Sequence, residues 1–149
     1  MFISYAQNWK DVILNRLFKD QEKGFYIDVG AYHPVKHSVT KAFYDQGWQG
    51  INIEPAQSNF ETLKAARTRD LNLNIALGDK ETTLDFFELP ETEFSTFDGE
   101  MAVKLSQTHN INLNYREVSL KTLAQICQEN VQQPIDFMKI SVVGWEAKV

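Results

Sequence analysis

One cysteine, Cys127, stands in the whole chain, so no disulfide can close within it and a disulfide framework is excluded. The residue lies in a helix-like segment and reads as core packing, the common place for a free thiol. Long apolar runs are also missing. None approaches the roughly 20 residues of a membrane span, and the first residues lack the basic start and apolar centre of a signal peptide. The expected location is cytoplasmic, with no membrane partner. Nor is there an excess of positive charge: 15 Lys and Arg against 20 Asp and Glu leave a formal net charge of -5. A phosphate backbone is held by clustered Lys and Arg, so nucleic acid is not an expected partner, whereas small or neutral ligands are. No repeat, low-complexity tract or linker interrupts the chain. With 149 residues, 43% of them hydrophobic, it can bury one core, and a single domain over 1–149 is the default.

What is present is an alternation of helical and strand patterns, which favours an α/β fold with a parallel sheet and crossover helices. Ser4 and Gln7 form a capping-box pattern, after which Trp9, Ile13 and Leu17 recur on one face, so a first helix is expected over about 5–18. Phe25 to Val29 read as a short buried strand, Ser38 to Gln46 as a helix stopped by Gly47, and Gly50 to Ile53 as the second strand. Ser58 and Glu61 repeat the capping box before a helix to Arg67, and Leu71 to Ala76 supply a third strand. Thr83 to Leu89 are extended and Pro90 to Asp98 form a polar loop. A short helix over Gly99 to Gln107 and a strand over Asn112 to Val118 come next. A helix over Leu120 to Glu129, capped by Ser119 with Leu123, Ile126 and Cys127 inward, leads to a buried strand over Ile135 to Val142.

The run GFYIDVGAYHPVKHS, Gly24 to Ser38, sets Asp28, Gly30 and Ala31 where the first strand turns out of the sheet. In open α/β sheets that is the crevice where a ligand binds. Glu54 closes the next strand, 26 residues on, which is one crossover unit. A dinucleotide site would present G-x-G-x-x-G, because its second glycine lets the backbone approach a pyrophosphate. Here Gly30 is followed by Ala31, Tyr32, His33 and Pro34, which leaves hydride transfer a distant choice. S-adenosylmethionine carries no phosphate. It needs room for its amino acid, an anion for its ammonium group and acceptors for two ribose hydroxyls. Asp28 and Gly30 suit the first two, and Glu54 the last, since one carboxylate can accept from both hydroxyls. The plainer alternative is that both acids only cap turns.

The stretches SYAQNWKDVILNRLF, GFYIDVGAYHP, SVTKAFYDQGWQGINIEP, LNLNIALGD, STFD and IDFMKISVVGWE follow in the order and spacing of the FkbM-type S-adenosylmethionine-dependent methyltransferases, which the chain resembles along essentially its whole length. The resemblance implies a Rossmann-like class I methyltransferase fold, with a mostly parallel sheet and flanking helices. It also implies a family that methylates oxygen, often on sugars or polyketide-derived acceptors. By the same resemblance Asp28, Gly30 and Ala31 match the first cofactor motif, and Glu54 matches the ribose-binding acid. Asn74, Ala76 and Asp79 fall in the turn that flanks adenine. Gln7 and Asp11 match the amino-terminal motif.

Two departures from that pattern bear on activity. Family members usually read K-I-D-V-E-G at the end of the fourth strand, where this chain has Lys139, Ile140, Ser141, Val142, Val143 and Gly144. Ser141 cannot act as a base unaided and Val143 cannot bond at all. Lys139 and Glu146 remain to position an acceptor, or else serve as a strand-end ion pair and a helix-start charge. The class also continues past this strand into a helix and further strands, whereas the chain ends at Val149. The expectation is a partial domain lacking its carboxy-terminal strands, poorly active alone and able to self-associate through an open sheet edge. The competing function is a noncatalytic remnant that acts at most as a cofactor-binding or interaction module.

Three weaker constellations complete the reading. His33 and His37 stand four apart, but Pro34 lies between them and no third ligand is near, so loop or acceptor-side histidines are expected rather than a metal site. Phe43, Tyr44, Trp48, Phe86 and Phe87 are assigned mostly to the core. Ser95 and Thr96 either line the acceptor pocket or solvate a turn.

Overall fold

The computed structural model describes residues 1–149. Its first sheet holds Phe25–Val29 (β1), Gln49–Ile53 (β2), Leu71–Leu73 (β3) and, at the far end of the chain, Phe137–Ile140 (β7). All pairings are parallel and the order is β3-β2-β1-β7, so β1 is central and β7 lies at one edge. The run FYIDV is buried at every position, as befits a parallel strand covered on both faces. Register is what builds the site: Val29 stands beside both Ile53 and Ile140. The next residues along each strand, Gly30, Glu54 and Ser141, therefore emerge side by side at the carboxyl rim.

A second sheet is formed by Ala76–Leu77 (β4), Thr82–Glu88 (β5) and Asn114–Lys121 (β6), in the order β4-β6-β5. The single third strand expected over Leu71 to Ala76 is thus two strands in two sheets. Asn74 sits at the break, where its Nδ2 donates to the carbonyls of Glu54 (2.9 Å) and Pro55 (3.1 Å) and so bends the chain from one sheet to the other.

The helices are Lys10–Leu17 (α1), Lys41–Asp45 (α2), Gln57–Ala66 (α3), Gly99–His109 (α4) and Leu123–Asn130 (α5). Helix α1 starts later than the capping pattern predicts. The Ser4 hydroxyl donates to Asp11 Oδ1 at 2.6 Å instead of capping, and Asn8 and Trp9 adopt left-handed conformations that break the chain before Lys10. The stripe Trp9, Ile13, Leu17 is exposed (68%, 65% and 72%), because α1 seats itself by buried Asp11 and by Leu14 and Phe18 against Tyr26, Phe43 and Trp48. Helix α2 is shorter than expected, since Ser38 Oγ receives the Lys41 N–H and Thr40 turns inward to Asp28. In α3 the cap is Ala56, and Glu61 accepts from Gln57 Nε2 instead of closing a box with Ser58. Leu120 belongs to β6, where it pairs with Ala76 and Thr82, so α5 begins only after Thr122, which forms a capping box with Gln125.

Ile126 is buried at the main core of β1 and β2, with Leu123 and Cys127 packed against it as the helical spacing predicts. Phe43, Trp48 and Phe86 are buried as well, while Phe87 packs on Tyr115 and Tyr44 lies under the guanidinium groups of Arg67 and Arg69. No helix is long and apolar enough to cross a membrane.

Candidate functional site

The rim is closed by an approach that only glycine permits. Gly30 has φ +69°, and a Cβ there would lie 2.0 Å from the Ser141 carbonyl oxygen. With no side chain in the way, Gly30 N and Ala31 N both donate to Ile53 O (2.9 and 3.2 Å), and Ser141 N donates to Val29 O at 3.0 Å. The ends of β1, β2 and β7 are thereby fastened around one cleft of about 930 Å³, part of it open to solvent.

Glu54 forms part of the cleft wall and is buried. Its Oε2 accepts from Tyr32 N at 2.7 Å and its Oε1 from Ala56 N at 2.8 Å. A carboxylate has about four acceptor positions, so one on each oxygen stays unfilled within the protein. Burial pushes the Glu54 pKa up to about 7, against the pull of those two N–H groups and of Lys139. Asp28 is also buried but does not line the cleft. Its Oδ2 accepts from Thr40 Oγ1 at 2.9 Å, and Lys139 Nζ lies 3.0 Å from Oδ1, too oblique for a directed hydrogen bond. The Lys139 ammonium instead donates to the carbonyl of Gly30, so it neutralises Asp28 and holds the turn together.

Of the other residues expected at the site, Ala31, Ala76, Ser141, Lys139 and Gln7 line the cleft. Ser95 and Thr96 line it too, Thr96 Oγ1 donating to Val143 O at 2.8 Å. Asn74 lies behind the wall, where its Oδ1 accepts from Arg116 at 3.1 Å. Asp79 faces outward in an exposed pair with Lys148 at 3.7 Å, and Glu146 is exposed in the short turn that holds Lys148. Asp11 reaches the site indirectly: its carboxylate gathers Ser4 Oγ, Tyr5 N and Ala6 N, which delivers Gln7 to the mouth.

Two arrangements escaped the sequence reading. Arg67 is almost fully buried and donates to the Pro34 carbonyl through Nη2 (2.8 Å) and to Ser38 Oγ (3.0 Å), pinning the loop that follows Ala31. Its Nη1 donates to Tyr26 Oη, whose own proton goes to Asp70 Oδ2 at 2.6 Å. Burial first, and then the charge of Asp70, raise the Tyr26 pKa and keep the phenol a donor. An Arg at a helix end followed three residues later by Asp was the available signal. The second is the meeting of Gln7 and His37, each singled out in the sequence, with Glu93, which was not: at the mouth of the cleft His37 Nδ1 lies 3.0 Å from Gln7 Nε2 and 3.3 Å from Glu93 Oε2. No local spacing joins residues so far apart in the chain.

A family model described as the Methyltransferase FkbM domain matches residues 28–149. No curated protein and no solved structure matches the chain.

Proposed function

The chain belongs to the FkbM methyltransferase family, and on that premise we propose that its cleft binds S-adenosylmethionine and passes the methyl group to a hydroxyl of a small molecule such as a sugar. Glu54 is the observation that carries this reading. It stands at the end of β2, buried in the cleft wall, with unfilled acceptor positions on both carboxylate oxygens, which suits a pair of ribose hydroxyls. Ala76, Leu77, Phe86, Phe97 and Trp145 give the same cleft an apolar wall of the kind a purine ring requires. The missing side chain at Gly30 lets the Ser141 backbone close against the turn, which fixes the rim on which a ligand would rest. When bound, the cofactor supplies an electrophilic methyl group on a sulfonium; the chain supplies orientation, and exclusion of water along the apolar wall.

Isothermal titration with S-adenosylmethionine tests the assignment. Glu54→Ala is expected to weaken binding at least roughly tenfold, because two charge-assisted hydrogen bonds are lost. Equal affinity in the two proteins sinks the ribose role.

One observation favours a second reading, cofactor binding without turnover. Ser141 and Val143 bring no carboxylate to the rim, and Lys139 is engaged by Asp28 and Gly30. Under that reading the cofactor is retained unchanged in the presence of sugar hydroxyls.

A further inference from the structure

At the rim of the sheet Glu54 is assigned to the cofactor and Lys139 is engaged by Asp28 and Gly30, whereas the mouth of the cleft carries an imidazole. His37 ends the loop that Arg67 pins, and it adopts φ +59°, a conformation that a side-chain-bearing residue keeps only where its surroundings impose it. Its Nδ1 lies 3.3 Å from Glu93 Oε2, on the loop that follows β5, and 3.0 Å from the Gln7 amide. All three residues line the cleft. The two loops are tied a second time, by Tyr32 Oη donating to the Glu91 carbonyl at 3.2 Å, and both Tyr32 and Glu91 share the left-handed conformation. His33 is excluded from the same role. Its Nδ1 accepts from Val35 N and Lys36 N, which makes it a turn-former, and burial lowers its pKa with help from Lys36 and His37.

We propose that His37 is the general base for the acceptor hydroxyl, with Glu93 and Gln7 as its positioning residues; this rests on the hydroxyl-methylation reading given above. A proton on Nδ1 shared with the Glu93 carboxylate leaves the Nε2 lone pair as the basic atom. Gln7, turned about its terminal bond, offers its amide oxygen to that same proton. The acceptor oxygen forms its bond to the methyl carbon of a methylsulfonium donor, and the carbon–sulfur bond breaks with its electron pair going to sulfur. The hydroxyl proton passes to His37 Nε2. The donor's positive charge is thereby transferred to an imidazolium held beside Glu93, and atoms and charges balance. Glu93 is the charged group in contact with His37, Lys36 and His33 neighbour it along the loop, and Lys10 and Glu54 face the cleft from α1 and β2.

The test uses the whole chain labelled with 15N-histidine, observed by NMR with and without Glu93→Gln. Expected is a neutral His37 ring protonated on Nδ1, with the population shifting toward the Nε2-protonated tautomer in Glu93→Gln. A neutral ring protonated on Nε2 in the parent, or a tautomer population that the variant leaves unchanged, overturns the proposal. In parallel, methyl transfer is followed on a panel of neutral methyl glycosides, with His37→Asn chosen because asparagine tolerates a positive φ. That variant is expected to bind S-adenosylmethionine as the parent does. Its turnover should fall on the order of a hundred- to ten-thousand-fold, and the acidic limb of its pH profile should disappear. Undiminished turnover overturns the role of His37. Failure of the parent to bind the cofactor, or to methylate any member of the panel, instead overturns the reading beneath it.

Discussion

Asp28 and Glu54 are acids of the same chemical kind at the ends of adjacent strands, both buried, yet their surroundings differ in one decisive respect. Asp28 has a cation against it, Lys139 Nζ at 3.0 Å, and a hydroxyl from Thr40. Glu54 has two backbone N–H groups and no cation in contact. The first arrangement is closed: its charge is balanced from within, and what it fixes is the turn at Gly30. The second is left without a counter-charge in the wall of a cleft, and on that difference the ribose role proposed for Glu54 rests.

Breaking the closed pair has the largest expected effect. Lys139→Met leaves Asp28 buried without its counter-charge and should destabilise the fold by about 4 kcal/mol in denaturant titration. The double variant with Asp28→Asn should recover much of that loss, and a loss that persists in the double variant would show that the contact to the Gly30 carbonyl matters more than the ion pair.

Next in size is the pH response of Glu54. Its folded-state pKa is raised from 4.5 to about 7, so the folded state holds the proton more tightly than the unfolded one. Its contribution is fully present below about 4.5 and is lost as pH rises through about 7, a fall on the order of 3 kcal/mol. The slope, not the absolute stability, is the readout. Subtracting the stability curve of Glu54→Gln from that of the parent should isolate it, and parallel curves would place the pH response elsewhere.

Thr40→Val keeps the volume but removes the hydroxyl from Asp28 Oδ2, for a loss of about 2 kcal/mol in thermal or chemical unfolding. No loss would mean that Lys139 alone satisfies the acid. The smallest effect concerns protons released on ligand binding. Ribose hydroxyls favour the charged form of Glu54, so S-adenosylmethionine should expel a fraction of a proton near pH 6.5 and none near pH 8.5, as read by calorimetry in buffers of different ionisation enthalpy. Binding with no proton exchanged at either pH would argue that the cofactor does not meet Glu54.

The same contrast runs through what could be read from the residues. The strand bearing Asp28 and the one that Glu54 follows were legible because short runs of apolar or buried-compatible residues, Phe25 to Val29 and Gly50 to Ile53, each ending in a turn signal, are a local pattern. Their acids were legible as a pair because one crossover unit separates them. The stripe of Trp9, Ile13 and Leu17 misled for the opposite reason: spacing reports that residues share a face, not that the face has a partner, and α1 turns it outward. The third strand misled because side-chain amide bonds from Asn74, invisible to periodicity, divide it between two sheets. Helix α5 was displaced because Leu120 fits a strand as well as a helix, and cross-strand pairing decided the matter.

Sequence alone therefore determined the class of fold, the central buried strands, and two acids with a glycine at their ends, since each depends on neighbours within one crossover unit. Tertiary structure decided what surrounds those acids. It brought Lys139 from the last strand to neutralise Asp28, left Glu54 without such a partner, and set Glu93 beside His37 across 56 residues of chain. Charge balance in a buried site acts over a few ångströms of space, and no spacing along the chain encodes that distance.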